Sequence, residues 1–192
     1  SRYHGIDIPG LISHNTHVLF IDSESPEMMD GTSRVNYGEI ETIDNLLTRF
    51  ENSGSFQRYL NKFTKEEDKQ IGIISFYGKQ IKQLRAVAHK HTNLPIRVST
   101  VDRFQGMERN IVIVSMVRSN TIQSSKNQQP DWKRYPDFGY PKQKSLGFAQ
   151  SPNRLNVALS RAKRLLVIVG NKELFSTLEI YQRLFQTIET NK

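Results

Sequence analysis

Apolar residues recur along this chain in two rhythms, and the rhythms predict its elements. Short apolar runs bounded by polar or glycine-containing segments predict strands at His17-Val18-Leu19-Phe20-Ile21-Asp22, Ile71-Gly72-Ile73-Ile74-Ser75 and Ile96-Arg97-Val98-Ser99. Asn110-Ile111-Val112-Ile113-Val114-Ser115-Met116 is the strongest of them. It is apolar on both faces, as a central parallel strand must be. Leu165-Leu166-Val167-Ile168-Val169, closed by Gly170, predicts the last buried strand. Helical spacing appears in between. Ile40, Ile43, Leu46, Leu47 and Phe50 form one stripe, with Asn36 as candidate N-cap and Glu39 in the capping-box position three residues on. Gly54 is expected to end that unit, and Phe56, Leu60 and Phe63 predict a second short helix. Lys65-Glu66-Glu67-Asp68-Lys69 reads as a solvated connector. Ile81, Leu84, Val87 and Ala88 mark another helix, and Pro152 starts one expected to run through Ala162. Leu174, Leu178, Tyr181, Leu184, Phe185 and Ile188 predict a C-terminal amphipathic helix.

Strands alternating with helices predict an α/β fold with a mostly parallel sheet flanked by helices. In such sheets ligands sit beyond the carboxyl ends of the strands. That rule directs attention to Ser75–Gln80, Thr100–Glu108, Arg118-Ser119-Asn120 and the helix after Pro152. One region breaks the rhythm. Thr121–Gly147 is polar and aperiodic, with Pro130, Pro136 and Pro141. Its Trp132, Tyr135, Phe138 and Tyr140 interleave with Lys126, Lys133, Arg134, Lys142 and Lys144. Aromatic faces that stack bases beside cations that grip phosphates are a single-strand-binding chemistry. The other reading is an insertion whose aromatics pack locally.

Length and charge bound the possibilities. The 192 residues suit one domain, with a core over about residues 15–190 and the insertion at about 121–147. The formal net charge is +8, divided as net −5 up to Gln70 and net +13 beyond it. The capacity to bind an anion therefore belongs to the last two thirds of the chain. With no cysteine, a disulfide scaffold, a zinc ribbon and a cysteine nucleophile are all excluded. No apolar run approaches a membrane span and no secretory leader is visible, so the chain is expected in the cytoplasm, intracellular and without a membrane partner. Its first residue, Ser1, suggests a piece excised from a longer protein.

Two segments carry chemistry. Asn153-Arg154-Leu155-Asn156-Val157-Ala158-Leu159-Ser160-Arg161-Ala162-Lys163 places Arg154 and Arg161 seven residues apart, on one side of the expected helix. Two guanidiniums on one edge suit a phosphate chain, and a solvated basic face would show the same spacing. Ser99-Thr100-Val101-Asp102-Arg103-Phe104-Gln105-Gly106-Met107-Glu108 is dense in hydroxyl, carboxylate and amide groups around a glycine. It could offer backbone N–H groups to phosphate or be a plain polar loop. Asp22, Glu24, Glu27 and Asp30 read as a solvated acidic turn rather than a metal site. His89 and His91 lack the spacing and further ligands a metal needs.

Together these segments resemble the superfamily 1 helicases of the Upf-like type. Ser99–Glu108 resembles motif V (Ser/Thr-Val-Asp-x-Phe-Gln-Gly-x-Glu), and Ile111–Asn120 continues it. Arg154-Leu155-Asn156-Val157-Ala158-Leu159-Ser160-Arg161-Ala162 resembles motif VI nearly letter for letter. Ile71–Gln80 resembles motif IV, and Gly31–Glu39 the segment just before it. The resemblance covers about residues 15–175 in the family's order. There are departures: Ser75-Phe76 stands where the family has an aliphatic-to-proline turn, the 121–147 insertion is long, and the Tyr-Arg motif that opens the family's domain is absent.

The resemblance implies a RecA-like P-loop NTPase fold, here the C-terminal second motor domain, with ATP and Mg²⁺ bound against an upstream RecA-like domain of the same polypeptide. It implies Arg161 as catalytic arginine finger, and Gln105, Gly106, Glu108 and Arg154 on the nucleotide beside it. It implies Asn36, Thr100 and Asp102 toward single-stranded DNA or RNA, or linking the two sites. Motif IV adds Ser75, Tyr77 and Gln80 as nucleic-acid residues without fixing them to one side, and Tyr77 also reads as a packed aromatic under the next helix. No Gly-x4-Gly-Lys-Ser/Thr occurs in the chain, so it lacks its own Walker A loop. The isolated domain is therefore expected to be inactive. The alternatives are a non-catalytic basic nucleic-acid-binding module of RecA-like fold, and an NTPase that uses nucleic acid only as a trigger.

Overall fold

The computed structural model describes residues 4–30, 33–119, 122–123, 147 and 151–190. Five strands form one sheet: β1 (Val18–Asp22), β4 (Ile71–Ser75), β5 (Ile96–Thr100), β6 (Arg109–Ser115) and β8 (Ala162–Gly170). Their order is β1-β8-β6-β4-β5, and every neighbouring pair is parallel. A small second sheet has the order β3-β2-β7, from β2 (Glu27–Asp30), β3 (Ser33–Val35) and β7 (Ile122–Gln123). β6 sits at the centre of the large sheet and is buried along its whole length, as its two-faced apolar pattern requires.

Alternation along the central strands divides the core in two. Ile71, Ile73, Ile111, Ile113, Leu165, Val167 and Val169 pack with the stripe of α1 (Tyr37–Glu51) and with Phe56, Tyr59 and Leu60 of α2 (Gly54–Leu60). Leu84 and Val87 of α4 (Gly78–Ala88) close that side. Ile74, Val112, Val114, Leu166 and Ile168 point the other way, toward α5 (Pro152–Leu159), Phe175 of α6 (Lys172–Phe175) and Tyr181 and Phe185 of α7 (Glu179–Thr190). The result is helices on both faces of a parallel sheet.

Gly72 interrupts an otherwise apolar strand for a physical reason. A Cβ at Gly72 would lie 2.6 Å from Phe104 Cζ. The bare backbone lets that ring, carried on the 3₁₀ turn Asp102–Phe104, lie directly on the sheet.

The boundaries depart from the sequence expectations at four places. Gly54 opens α2 behind the N-cap Ser53, because α1 has already ended at Glu51. The Lys65–Lys69 connector folds at its end into one exposed turn, α3 (Glu66–Lys69). The C-terminal helix is split, with Ser176 capping α6 before α7 begins. The fourth departure is the most consequential. α5 ends at Leu159 with Ser160 as C-cap, and β8 starts at Ala162. Arg161 therefore occupies a turn, and Arg154 and Arg161 lie at opposite ends of α5 rather than on one side of a longer helix.

Candidate functional site: two edges of one sheet

Parallel strands give the sheet an amino edge and a carboxyl edge, separated along β6 by about 20 Å. The predicted residues divide between them. Arg161 precedes β8 and Glu108 precedes β6, so both lie at the amino edge. A backbone hydrogen bond joins the two segments, Arg109 N–H donating to Arg161 O at 3.0 Å. Gln105, Gly106 and Glu108 are exposed, and Gly106 has φ +78°, in the left-handed region that glycine occupies without strain. Arg161 is half-buried. Its Nε donates to Val157 O at 3.1 Å and its Nη2 to Ser160 Oγ at 2.8 Å. Among the described residues it forms no ion pair, so its charge is not neutralised there.

Arg109 braces this edge from beneath. It is buried, donates from Nε to Gln70 Oε1 at 2.7 Å and from Nη1 to Glu108 O at 2.7 Å, and lies 5.8 Å from the Phe104 ring centroid. It fixes the strand entrance just after the Gln105–Glu108 loop. Sequence reading missed both Arg109 and Gly72. The legible signal was a glycine inside a buried strand.

Arg154 sits elsewhere. It pairs with Asp102 at 3.2 Å near the carboxyl edge, where β5 ends and α5 begins. This exposed pair joins the motif V and motif VI segments, away from Arg161. Thr100, half-buried, stands at the same edge, its Oγ1 accepting from Arg103 N–H at 3.4 Å. Tyr77 is buried there. A Cβ at Gly147 would lie 2.5 Å from the Tyr77 hydroxyl and 2.6 Å from Arg118 Nη1, so these groups converge.

Asn36, Ser75 and Gln80 are fully buried at the carboxyl edge. Their side chains are committed inside the domain, which makes them a scaffold linking α1, α4 and β6 rather than an exposed strand contact. Asn36 caps α1, accepting from Glu39 N–H at 3.1 Å. Its Nδ2 donates to Ser25 O and Val117 O. Gln80 Oε1 accepts from Asn36 N–H at 2.9 Å, and Gln80 Nε2 donates to Ser115 Oγ at 2.8 Å. Ser75 Oγ donates to Ser115 O at 2.8 Å.

Half of the expected capping box is therefore diverted. Gln80, not Glu39, satisfies the Asn36 N–H. The Glu39 carboxyl instead accepts from Ser115 Oγ at 2.6 Å and from Val117 N–H at 2.9 Å. Burial pushes its pKa up to about 8, against the pull of those hydrogen bonds, and nearby Glu27 adds to the rise.

Glu27 corrects a sequence expectation. It is wholly buried, not part of a solvated acidic turn. It pairs with Arg34 and, at 2.9 Å, with Arg118, and it accepts from Ser119 N–H at 3.0 Å. Among the described residues no group of three or more His, Asp or Glu could hold a metal ion. No helix among them is long and apolar enough to cross a membrane. The basic and aromatic residues of the insertion, Lys126 to Lys144, lie outside the described residues.

A parallel α/β sheet with motif V and motif VI residues at its edges defines a RecA-like domain. The comparisons with known proteins carry the assignment further. A family described as an AAA domain (AAA_12) matches residues 7–173, and the chain belongs to that family. It is similar to the Regulator of nonsense transcripts 1 homolog of Arabidopsis thaliana, 29% identical over 181 residues, 94% of this chain and 12% of the relative. It is 34% identical over 142 residues to the DNA polymerase alpha-associated DNA helicase A of Saccharomyces cerevisiae, 73% of this chain and 16% of that protein. It is 40% identical over 116 residues to the putative helicase MOV-10 of Gallus gallus, 56% of this chain and 10% of that one. The chain is thus homologous to Upf-like superfamily 1 helicases and spans a small fraction of their length.

Proposed function

We propose that this chain is the second RecA-like motor domain of an ATP-dependent superfamily 1 helicase or translocase. It takes the nucleotide on the amino edge of its sheet and single-stranded DNA or RNA on the carboxyl edge. One observation carries the reading: the residues matched to motif roles separate by edge. Glu108 and Arg161 meet at one end of the strands, Thr100 and Asp102 stand at the other, and Gln105 and Gly106 lie on the exposed stretch of loop that runs between them.

The residues of the amino edge fit a triphosphate. Arg161 carries a charge whose hydrogen bonds go to neutral, solvent-accessible partners, which exchange at little cost. The planar guanidinium matches phosphate oxygens in two-point geometry. ATP with Mg²⁺, held mainly by an upstream RecA-like domain bearing the phosphate loop, supplies the phosphoryl group. Arg161 neutralises charge on it as that charge develops, a contribution worth about 10³–10⁵ in rate. Gly106 leaves the backbone open to the ligand, and Glu108, joined to Arg161 through Arg109, couples the loop to the finger. Displacement of this edge reaches the other along β6 and the Ser115–Gln80–Asn36 network.

The test is a division of labour in the full-length protein. Arg161→Ala should reduce ATP hydrolysis by about 10³-fold or more and leave nucleotide-free single-strand affinity within about threefold. Thr100→Ala should weaken strand affinity. Unchanged hydrolysis in Arg161→Ala overturns the reading. The pure chain 1–192 should hydrolyse no ATP above background.

A further inference from the structure

Val117 is the one described non-glycine residue with positive φ, at +70°. It is β-branched and wholly buried, so neither its chemistry nor solvent favours that backbone. The turn is closed by Arg118 N–H donating to Met116 O at 2.8 Å, the three-residue turn of the rare strained form. Such conformations persist where surrounding structure over-determines them.

Here the surroundings are specific. Val117 N–H is held by both oxygens of Glu39 at 2.9 Å, and Val117 O by Asn36 Nδ2 at 3.1 Å. The two holders are the N-cap of α1, Asn36, and a residue of its first turn, Glu39. Immediately beyond the turn, Arg118 and Ser119 N–H engage the buried Glu27. Ser119 Oγ is buried with no hydrogen-bond partner among the described residues, so a second unfavourable feature concentrates at the same spot.

We propose that Glu39 is a positioning residue of the carboxyl edge: with Asn36 it holds Val117 in a strained turn, and this turn sets Arg118 and Ser119 onto Glu27 where the central strand leaves the sheet. The inference rests on the reading of that edge as strand-facing. Sequence alone assigns Glu39 to helix capping. The signal for another role is its place on the apolar stripe of α1, four residues before Ile43 and seven before Leu46.

The geometry predicts which replacements matter. Glutamine keeps a carbonyl oxygen for Val117 N–H and offers N–H to the Ser115 hydroxyl, whereas alanine offers neither. Glycine at 117 adopts positive φ without a holder. The experiment uses the full-length protein carrying Glu39→Ala, Glu39→Gln, Val117→Gly or the Glu39→Ala/Val117→Gly pair. Amide hydrogen exchange is read at Arg118 and Ser119, and single-strand affinity is read on the same samples. Glu39→Ala should raise exchange at both amides about tenfold or more and weaken strand affinity by a similar factor. Glu39→Gln should stay within about threefold of the unaltered protein in both. In the Val117→Gly background the effect of Glu39→Ala on exchange should largely vanish.

Unchanged exchange in Glu39→Ala, or an equal loss in the Val117→Gly background, overturns the proposal. Lost protection with unchanged strand affinity overturns the positioning role, and Thr100→Ala then separates the causes. If that variant weakens binding, the strand-facing edge stands without Glu39. If it does not, the edge reading itself fails. Should Glu39→Ala not fold, Glu39→Asp withdraws the carboxyl by one carbon–carbon bond, about 1.5 Å, and the same outcomes apply.

Discussion

Replacing Gly72 with alanine tests how the sheet carries the motif V loop. The new Cβ would meet Phe104 Cζ at 2.6 Å and Cε2 at 3.3 Å, with Arg109 Cγ at 3.5 Å. Ordinary contact begins near 3.4 Å, so the ring must retreat by roughly an ångström. Phe104 is wholly buried among the residues of the second core face, and no solvent gap accepts it. Overpacking of this kind costs about 1–3 kcal/mol, offset by about 0.5–1 kcal/mol for removing a strand glycine. At mid-range the two leave a net loss of about 1 kcal/mol, which lowers Tm by about 2–4 °C in a chain of this size. Thermal unfolding of the native and Gly72→Ala chains by circular dichroism measures it. A Phe104→Leu background supplies the control, because leucine has neither Cζ nor Cε2. There the alanine should cost nothing or stabilise slightly. A neutral Gly72→Ala in the native chain, or an equal loss in both backgrounds, refutes the contact. Because Phe104 immediately precedes Gln105, the same substitution in the full-length protein should depress ATP hydrolysis more than strand affinity.

Three further outcomes follow from other contacts. His91 is buried between Glu51 at 2.7 Å and Asp44 at 2.6 Å, tying the end of α4 to α1; burial alone would lower its pKa, but the two carboxylates outweigh burial and raise it. Its stabilisation is therefore fully present below the ordinary histidine value of 6.5 and lost as pH rises through the higher folded value, so the Tm difference between native and His91→Gln should be largest near pH 6 and shrink toward pH 9; a flat difference would contradict the imidazolium clamp. Asn36→Ala removes the α1 cap and strands Val117 O and Ser25 in a buried network; urea denaturation should show a loss of about 2–4 kcal/mol, and less than 1 kcal/mol would refute the network. Asp102→Asn, which breaks the exposed pair with Arg154, should change stability by less than about 1 kcal/mol in the same assay.

The parts of the fold that read directly from sequence are those set by local apolar period. β4, β6 and β8 declared themselves because strands buried on both faces leave no polar alternation. α1 did so because Asn36 and its stripe agree. The end of α5 was illegible for a related reason. Ala162 continues the helical spacing of Ala158 and Leu159, and neither glycine nor proline marks the stop, yet β8 claims Ala162 for its pairing with Arg109. Placement of Arg161 in a turn follows from that competition between a helix end and a strand. Glu27 was misread because its partner Arg118 is 91 positions away, and a charge looks solvated in sequence until tertiary structure supplies its counter-charge. The positive φ of Val117 had no sequence signal at all, since β-branched residues argue for extended backbone. The candidate site shows the same division. Motif spacing named the residues, but only the sheet topology set Glu108 and Arg161 at the edge opposite Thr100 and moved Arg154 away from Arg161.

The central claim is that Arg161 stabilises charge on a transferring phosphoryl group. Its most direct test compares the affinities of the full-length protein for ADP–aluminium fluoride, which mimics that charge, and for ADP, which does not. In Arg161→Ala the preference for the mimic over ADP should fall by about 10³-fold, with ADP affinity nearly unchanged. An undiminished preference would contradict the account.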